Sequence, residues 1–280
     1  EILSGLVGSE MCIRDRALAG LIIILFIVTV AVFAPLLMPN DPDKIDVLKK
    51  FLPASAQYPL GTDQLGRCVL SRLMIGARYS LGIAIPSLLG VGVVGIMLGT
   101  AAAYVGGRFE RVFLVVCDIF MAFPPLVIVL SLVGALGQGI GNILIAVFFS
   151  TWVWFAKIVR TYAKIEQNKE YVTASKIAGC SDLGIIVRHI IPNILPQCIV
   201  YLSTGIASVI LMVSSFSFLG LGFEKGVAEW GAMLSEAKSN FYTYPSFVLY
   251  PGACILLAAA GFNLFGEALR DVVSPEEVSQ

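Results

Sequence analysis

Six apolar runs, separated by polar intervals, organise the chain. The first, "ALAGLIIILFIVTVAVFAPLLM" (Ala17–Met38), carries no charge. The others cover Tyr79–Val105, Val112–Leu136, Ile143 to about Ile158, about Ile194 to Phe216, and Ser246–Phe265. A helix needs ~20 mostly apolar residues to cross the hydrocarbon core. A segment inside a bilayer must also satisfy its own backbone polar groups. The pattern therefore predicts an all-α, polytopic membrane protein with six transmembrane helices. Gly95 and Gly99 in the second run have the G-x-x-x-G spacing that lets helices approach closely, within one subunit or at a dimer seam.

The polar intervals set the topology. Residues 39–78 are too long and too charged to span. The link "GGRFER" carries Arg108 and Arg111, and residues 164–193 carry Lys164, Lys169, Lys176 and Arg188. The turn "GQGIGN" has no basic residue. The excess of Lys and Arg in short loops marks the cytosolic side. That rule places both termini and residues 164–193 in the cytosol and residues 39–78 outside. The expected organisation is a first helix (17–38), an extracytoplasmic loop (39–78), a five-helix core (79–270) containing the cytosolic loop 164–193, and a cytosolic tail (271–280). The chain begins at Glu1, and "SEMCIRDR" is polar, unlike the apolar run after it, so residues 1–16 are read as an atypical, truncated or spliced end. The first apolar run is too long for a signal peptide and reads as a retained span.

Composition agrees with this picture. Mean hydropathy is +0.88 and 14% of residues are charged, against roughly a quarter in soluble domains. Formal net charge is zero, which does not suggest nucleic acid as a partner. The six cysteines are scattered without a C-x-x-C pair and read as small buried hydrophobes. The single histidine, His189, has no ligand-spaced partner, so no metal or cofactor is expected on this chain.

One polar segment stands out: "EYVTASKIAGCSDLGIIVRHIIPNILP", residues 170–196. Its residue types favour a helix from Tyr171, a Gly-bearing turn, and a second helix with Ser181 as N-cap. Pro192 and Pro196 are expected to stop that helix before the fifth span. Ala174, Ala178 and Gly179 give the first helix a face of small residues. Such a face fits a groove on a soluble partner; the alternative is a solvated connector.

The same segment resembles the coupling-loop signature of bacterial ABC-importer permeases. Thr173-Ala174-Ser175 stands for the Glu-Ala-Ala-like triplet, Gly179 for the glycine, and Ile190-Ile191-Pro192 for the end. It is closest in pattern to the dipeptide, oligopeptide and nickel branch. "GTDQLGRCVLSR" resembles that branch's "GTD-x-x-GRD-x-x-SR" box, with Cys68 in place of Asp. "FSFLGLGF…AEWGAMLSEA" resembles its "SFLGLG…PEWG" stretch, with Ala228 in place of Pro, and "FNLFGEALRDVVSP" its C-terminal signature.

The resemblance implies the ABC type I permease fold and a "C"-type permease subunit for peptides or nickel and metal chelates. It implies a bacterial cytoplasmic-membrane location and a homologous permease as heterodimer partner. Two cytosolic ATPases and an extracytoplasmic binding protein complete the implied assembly. Glu170, Tyr171, Ala174, Ser175, Ala178, Gly179, Ser181, Arg188 and Pro192 would form the ATPase-coupling loop. Glu229 and Trp230 would contact the binding protein. The sequence has no G-x-x-x-x-G-K-[ST] phosphate loop. ATP would be used by partner subunits, and the chain itself is not expected to be an enzyme.

Asp118, inside the third run, is a candidate pathway acid. The alternative is a structural tie to Arg108, Arg111 or another group near that end. Asp63 and Arg67 are four apart and could pair on a helix, or lie free in water. An ATPase-independent secondary transporter or channel is the competing functional class. It should show paired broken helices and midplane ion ligands, which the sequence does not display.

Overall fold

In a computed structural model, described over residues 2–224 and 226–273 with side chains from Arg14, the regular secondary structure is helical, apart from one isolated bridge. Lys225 and tail residues 274–280 lie outside them. Five helices are long and apolar enough to cross a membrane: α1 (Ile2–Leu37), α2 (Val69–Val105), α5 (Ile140–Gln167), α8 (Ile191–Phe218) and α10 (Ser246–Val273). Two more, α3 (Gly107–Met121) and α4 (Pro125–Leu136), meet at 81° and make a sixth span if taken together. Three short helices complete the set: α6 (Glu170–Ile177), α7 (Asp182–Ile185) and α9 (Trp230–Ala237).

The third apolar run is thus one span in sequence and two helices in space. Pro124 and Pro125 are the cause. Neither has an N–H, and each disfavours the α conformation in the residue before it. Pro125 then suits the first turn of α4.

The fifth span differs in the opposite sense. Pro192 and Pro196 do not stop a helix. A π-helical turn, Ile186–Ile190, joins α7 to α8 into one continuous rod from Asp182 to Phe218. The Ile191 N–H donates to the Ile186 carbonyl across five residues. This wide turn breaks the i→i−4 ladder just where Pro192 has no N–H to contribute.

The core is assembled pairwise. α2 lies along α5, and α10 packs against both α1 and α8. Gly95 and Gly99 face α5, so the G-x-x-x-G spacing serves an intrachain seam. A Cβ on Gly99 would lie 2.5 Å from the Ala156 carbonyl oxygen. Large apolar side chains such as Leu89, Val112 and Leu256 remain exposed on outer faces, as a bilayer solvent permits.

At the end carrying residues 39–68 and α9, buried charges replace apolar packing. Arg67 and Arg72 are 2% and 1% exposed. Arg67 Nε lies 2.7 Å from Asp63 Oδ2, and both guanidinium groups reach Glu236 Oε2. The Asp63–Arg67 pair therefore forms, but on a turn closed by the Thr62–Cys68 bridge. Asp63 Oδ1 also accepts from the Leu65 and Arg67 N–H groups.

Glu229 and Trp230 require a correction. They are 0% and 2% exposed, so neither side chain is presented to a binding protein. Glu229 Oε2 caps α9 by accepting from Ala232 N–H at 2.9 Å, while Oε1 accepts from Ser80 and Ser214. Trp230 Nε1 donates to the Leu73 carbonyl at 3.0 Å. Both residues fasten α9 onto α2 and α8. Glu229→Ala is expected to lower stability by about 2–4 kcal/mol, because it orphans buried donors and removes a cap. Glu229→Gln, which keeps an accepting oxygen, should melt closer to wild type. Thermal unfolding of the two variants in detergent checks this.

Candidate functional site

The polar segment sits at the opposite end of the bundle from α9 and is built in layers. α5 continues to Gln167, so residues 164–167 belong to that helix. α6 follows with Glu170 in its first turn, where a carboxylate complements the helix dipole. Gly179 ends α6 with φ +82°. Its N–H donates to the Lys176 carbonyl at 3.0 Å, and Cys180 N–H to the Ser175 carbonyl at 3.1 Å. These two bonds form a Schellman cap, whose left-handed residue is the reason for glycine here. Ser181 is the N-cap of α7, with Oγ accepting from Gly184 N–H at 3.2 Å.

Tyr171 ties this segment to the membrane helices. Its hydroxyl donates to Glu166 Oε1 on α5 and accepts from Asn193 Nδ2 on α8 at 3.2 Å. Burial, followed by the bond to Glu166, pushes the Tyr171 hydroxyl up to about 12. The phenol therefore stays neutral, and remains a donor, across the physiological range. Glu166 is itself buried and paired with Lys169 at 2.8 Å. Val172 is fully buried beneath α6. From the other side, Tyr104 at the end of α2 donates to Asp182 Oδ1, and Lys176 Nζ stands 4.8 Å from its ring centroid.

Above these anchors the surface is open. Glu170, Ala174, Ala178, Gly179, Ser181, Arg188 and Pro192 are exposed, and Ser175 is half-buried with Oγ donating to the Tyr171 carbonyl. Ile177, Leu183 and Val187 are 84%, 72% and 53% exposed beside them. Ile177 lies on α6, and Leu183 and Val187 on the first turns of the rod that continues into α8. The sequence reading found the small residues of this surface but not Ile177, Leu183 and Val187. Their i, i+4 spacing at 183 and 187 was the available signal. It also missed the Tyr104 and Asn193 anchors, which lie far away in sequence or near the segment's end.

Asp118 is paired with Lys157 of α5 at 2.7 Å, not with Arg108 or Arg111. His189 packs near the Tyr171 ring, with centroids 6.2 Å apart. Among the described residues, no group of three His, Cys, Asp or Glu side chains is placed to hold a metal ion.

Residues 93–277 match the model of the family described as "Binding-protein-dependent transport system inner membrane component". Residues 14–54 match the "N-terminal TM domain of oligopeptide transport permease C". The nickel transport system permease protein NikC of Escherichia coli K12 is 36% identical over 93% of this chain and 94% of its own length. The metal-staphylopine import system permease protein CntC of Staphylococcus aureus Mu50 is 36% identical over 94% and 91%. The probable D,D-dipeptide transport system permease protein DdpC of Escherichia coli K12 is 34% identical over 91% and 86%. The chain therefore belongs to the inner-membrane components of binding-protein-dependent transport systems, as a C-type permease subunit of the dipeptide, oligopeptide and nickel ABC importers.

Proposed function

We propose that this chain pairs with a homologous permease and is driven by two cytosolic ATPases through residues 164–193. The carrying observation is the exposed surface of Ile177, Leu183 and Val187, held on a frame anchored to α2, α5 and α8. In this reading the surface seats in a cleft of one ATPase. Movement of the ATPase then reaches the spans through Tyr171 and Tyr104. ATP is bound and hydrolysed on the partner chains, and this chain holds no cofactor. Both termini and the coupling segment face the cytosol, while residues 39–68 and α9 face outward to meet the binding protein. A first helix (17–38), an external loop (39–78) and a five-helix core to residue 270 remain the proposed division. Peptides and nickel or metal chelates are the proposed substrates, in keeping with what the relatives' names state. No observation favours an ATPase-independent transporter or channel.

The test is co-expression with the products of neighbouring genes, followed by purification on this chain in detergent. Recovery of ATPase subunits is the expected result. A folded chain that brings down no ATPase overturns the reading. Tyr171→Phe should keep the chain folded but lower ATP-driven uptake several-fold in proteoliposomes, because it cuts the bonds from α6 to α5 and α8. Unchanged uptake in that variant would exclude Tyr171 from force transmission.

A further inference from the structure

Below the buried charge network, α2 carries one more arginine, which the network does not use. Arg67 and Arg72 are buried and paired with carboxylates. Arg78, less than two turns further along α2, is exposed, and among the described residues no carboxylate pairs with it. It opens onto a cavity of about 370 Å³, lined otherwise by Ile75, Tyr79, Gly82 and Ile83 of α2 and by Ile140 at the start of α5. Arg78 is the one charged group in that lining. Gly82 leaves a notch, with nothing within 4 Å of its Cβ direction.

Arg78 stands at headgroup depth. About 27 residues of helix, or ~40 Å, separate it from Val105, where α2 ends beside the basic link bearing Arg108 and Arg111. A bilayer measures ~40–45 Å with its headgroups included. Toward the bilayer centre, Gly82, Pro86, Leu89 and Val93 follow Arg78 on one exposed face at three- and four-residue spacing. Gly82 to Val93 covers ~16 Å, about the depth of one leaflet of the ~30 Å hydrocarbon core. A cation at phosphate level thus stands above an apolar face as long as an acyl chain, with the cavity at their junction. Leu88 and Val91, half a turn away, lie on the opposite side of α2 and line the cavity beside the α3–α4 break. The exposed, non-helical backbone of that break, at 122–124, requires protein or water beside it. The Arg78 face is turned away from the side where a partner chain is needed.

We propose that this cavity binds an anionic phospholipid, with the phosphate on Arg78 and an acyl chain along Gly82, Pro86, Leu89 and Val93. The guanidinium is always charged, and its fork of N–H donors matches two phosphate oxygens. A zwitterionic headgroup brings its own cation, for which the lining has no carboxylate. An anionic headgroup brings only the charge that Arg78 lacks. Tyr79, set edge-on against Phe223 with centroids 5.9 Å apart, supplies an aromatic ring with a hydroxyl at the depth such rings favour. The site does not depend on ATPase coupling. The orientation proposed above decides only that it faces the outer leaflet.

The test uses the full chain, purified in detergent with the subunits that accompany it and stripped of lipid. Dioleoylphosphatidylglycerol or dioleoylphosphatidylcholine is titrated back, and bound lipid is counted by native mass spectrometry. Wild type should hold one phosphatidylglycerol at least tenfold more tightly than phosphatidylcholine. Arg78→Gln should bring the two lipids to equal affinity. Gly82→Leu, which fills the notch, should weaken phosphatidylglycerol binding as well. Arg111→Gln removes an exposed arginine beyond the far end of α2 and should leave the preference unchanged. Equal affinity for the two lipids in wild type, an unchanged preference in Arg78→Gln, or the same loss in Arg111→Gln overturns the proposal.

A second measurement does not depend on either variant folding. Photoreactive benzoylphenylalanine is introduced at Ile140, which is 43% exposed in the cavity wall. The chain, with its accompanying subunits, is then irradiated in vesicles of phosphatidylethanolamine and phosphatidylglycerol. Crosslinks enriched in phosphatidylglycerol over its share of the vesicle are expected. Crosslinks to another protein chain, or to the two lipids in proportion to their abundance, overturn the proposal. Neither readout uses ATP or substrate, so its failure leaves the importer reading intact.

Discussion

Replacing Gly99 by leucine is expected to leave little folded chain. A Cβ at this position meets the Ala156 carbonyl oxygen at 2.5 Å, Val159 Cβ at 2.9 Å and Arg160 N at 3.0 Å. Two of these atoms are backbone, and backbone cannot rotate away as a side-chain end does. The α2–α5 seam would have to open along its length. Overpacking a well-filled interface costs about 1–3 kcal/mol even where side chains give, and more where they cannot. In the bilayer no hydrophobic force between helices offsets the loss, because lipid tails are as apolar as leucine. Gly82→Leu, on the same helix, is the control: nothing lies within 4 Å of its Cβ. Size-exclusion profiles of the two variants in detergent should separate an aggregated Gly99→Leu from a monodisperse Gly82→Leu. Two identical, monodisperse profiles would show that α2 and α5 do not depend on this contact.

The second large effect is expected at Gly179, and on association instead of folding. Gly179 has φ +82°, and open space surrounds its Cβ direction. Arginine there carries a left-handed backbone cost of about 1–2 kcal/mol. It also projects a long cation from the coupling surface into the volume assigned to the ATPase. Strain in the Schellman cap moves α6 relative to α7, and so displaces Ile177 from Leu183. The backbone cost is the same in the bound and the free chain, so the loss of affinity comes from the arginine side chain in the contact; a loss of about 1.4 kcal/mol there lowers ATPase binding roughly tenfold. Asparagine tolerates the left-handed region and is short, so Gly179→Asn should keep most of the ATPase. The measurement is the amount of ATPase co-purified per folded chain. Full retention by Gly179→Arg would place the docking surface elsewhere.

How far the chain could be read from its sequence differs by element. The apolar runs specified the membrane helices directly, because each span must bury a length of apolar side chain set by bilayer thickness. Ser181 could be read as a cap because capping is local, decided by one hydroxyl and a nearby N–H. Gly179 showed in the family-like pattern before its positive φ supplied the reason. The proline pairs were visible too, but their effect was not. "FPP" at 123–125 bends a span through 81°, while Pro192 and Pro196 lie within a continuous rod. The difference lies in the neighbouring backbone. A π turn absorbs the missing bond in one case, and nothing does in the other.

What the sequence alone determined, then, is what has a local or periodic cause: the membrane class, the positions of the long apolar helices, the Ser181 cap, and the polar segment between α5 and α8. Tertiary structure alone decided which side chains face a partner and which are interior. Glu229 and Trp230 lie in a polar loop, yet packing of α9 against α2 and α8 buries them completely or almost so. Ile177, Leu183 and Val187 are apolar, yet they stand in the open because the segment bearing them has no neighbour on that face. Asp118 chose Lys157, on another helix, over the arginines on its own. Burial and pairing are properties of what surrounds a residue, and the surroundings come from elements that are distant in the chain and adjacent only after folding.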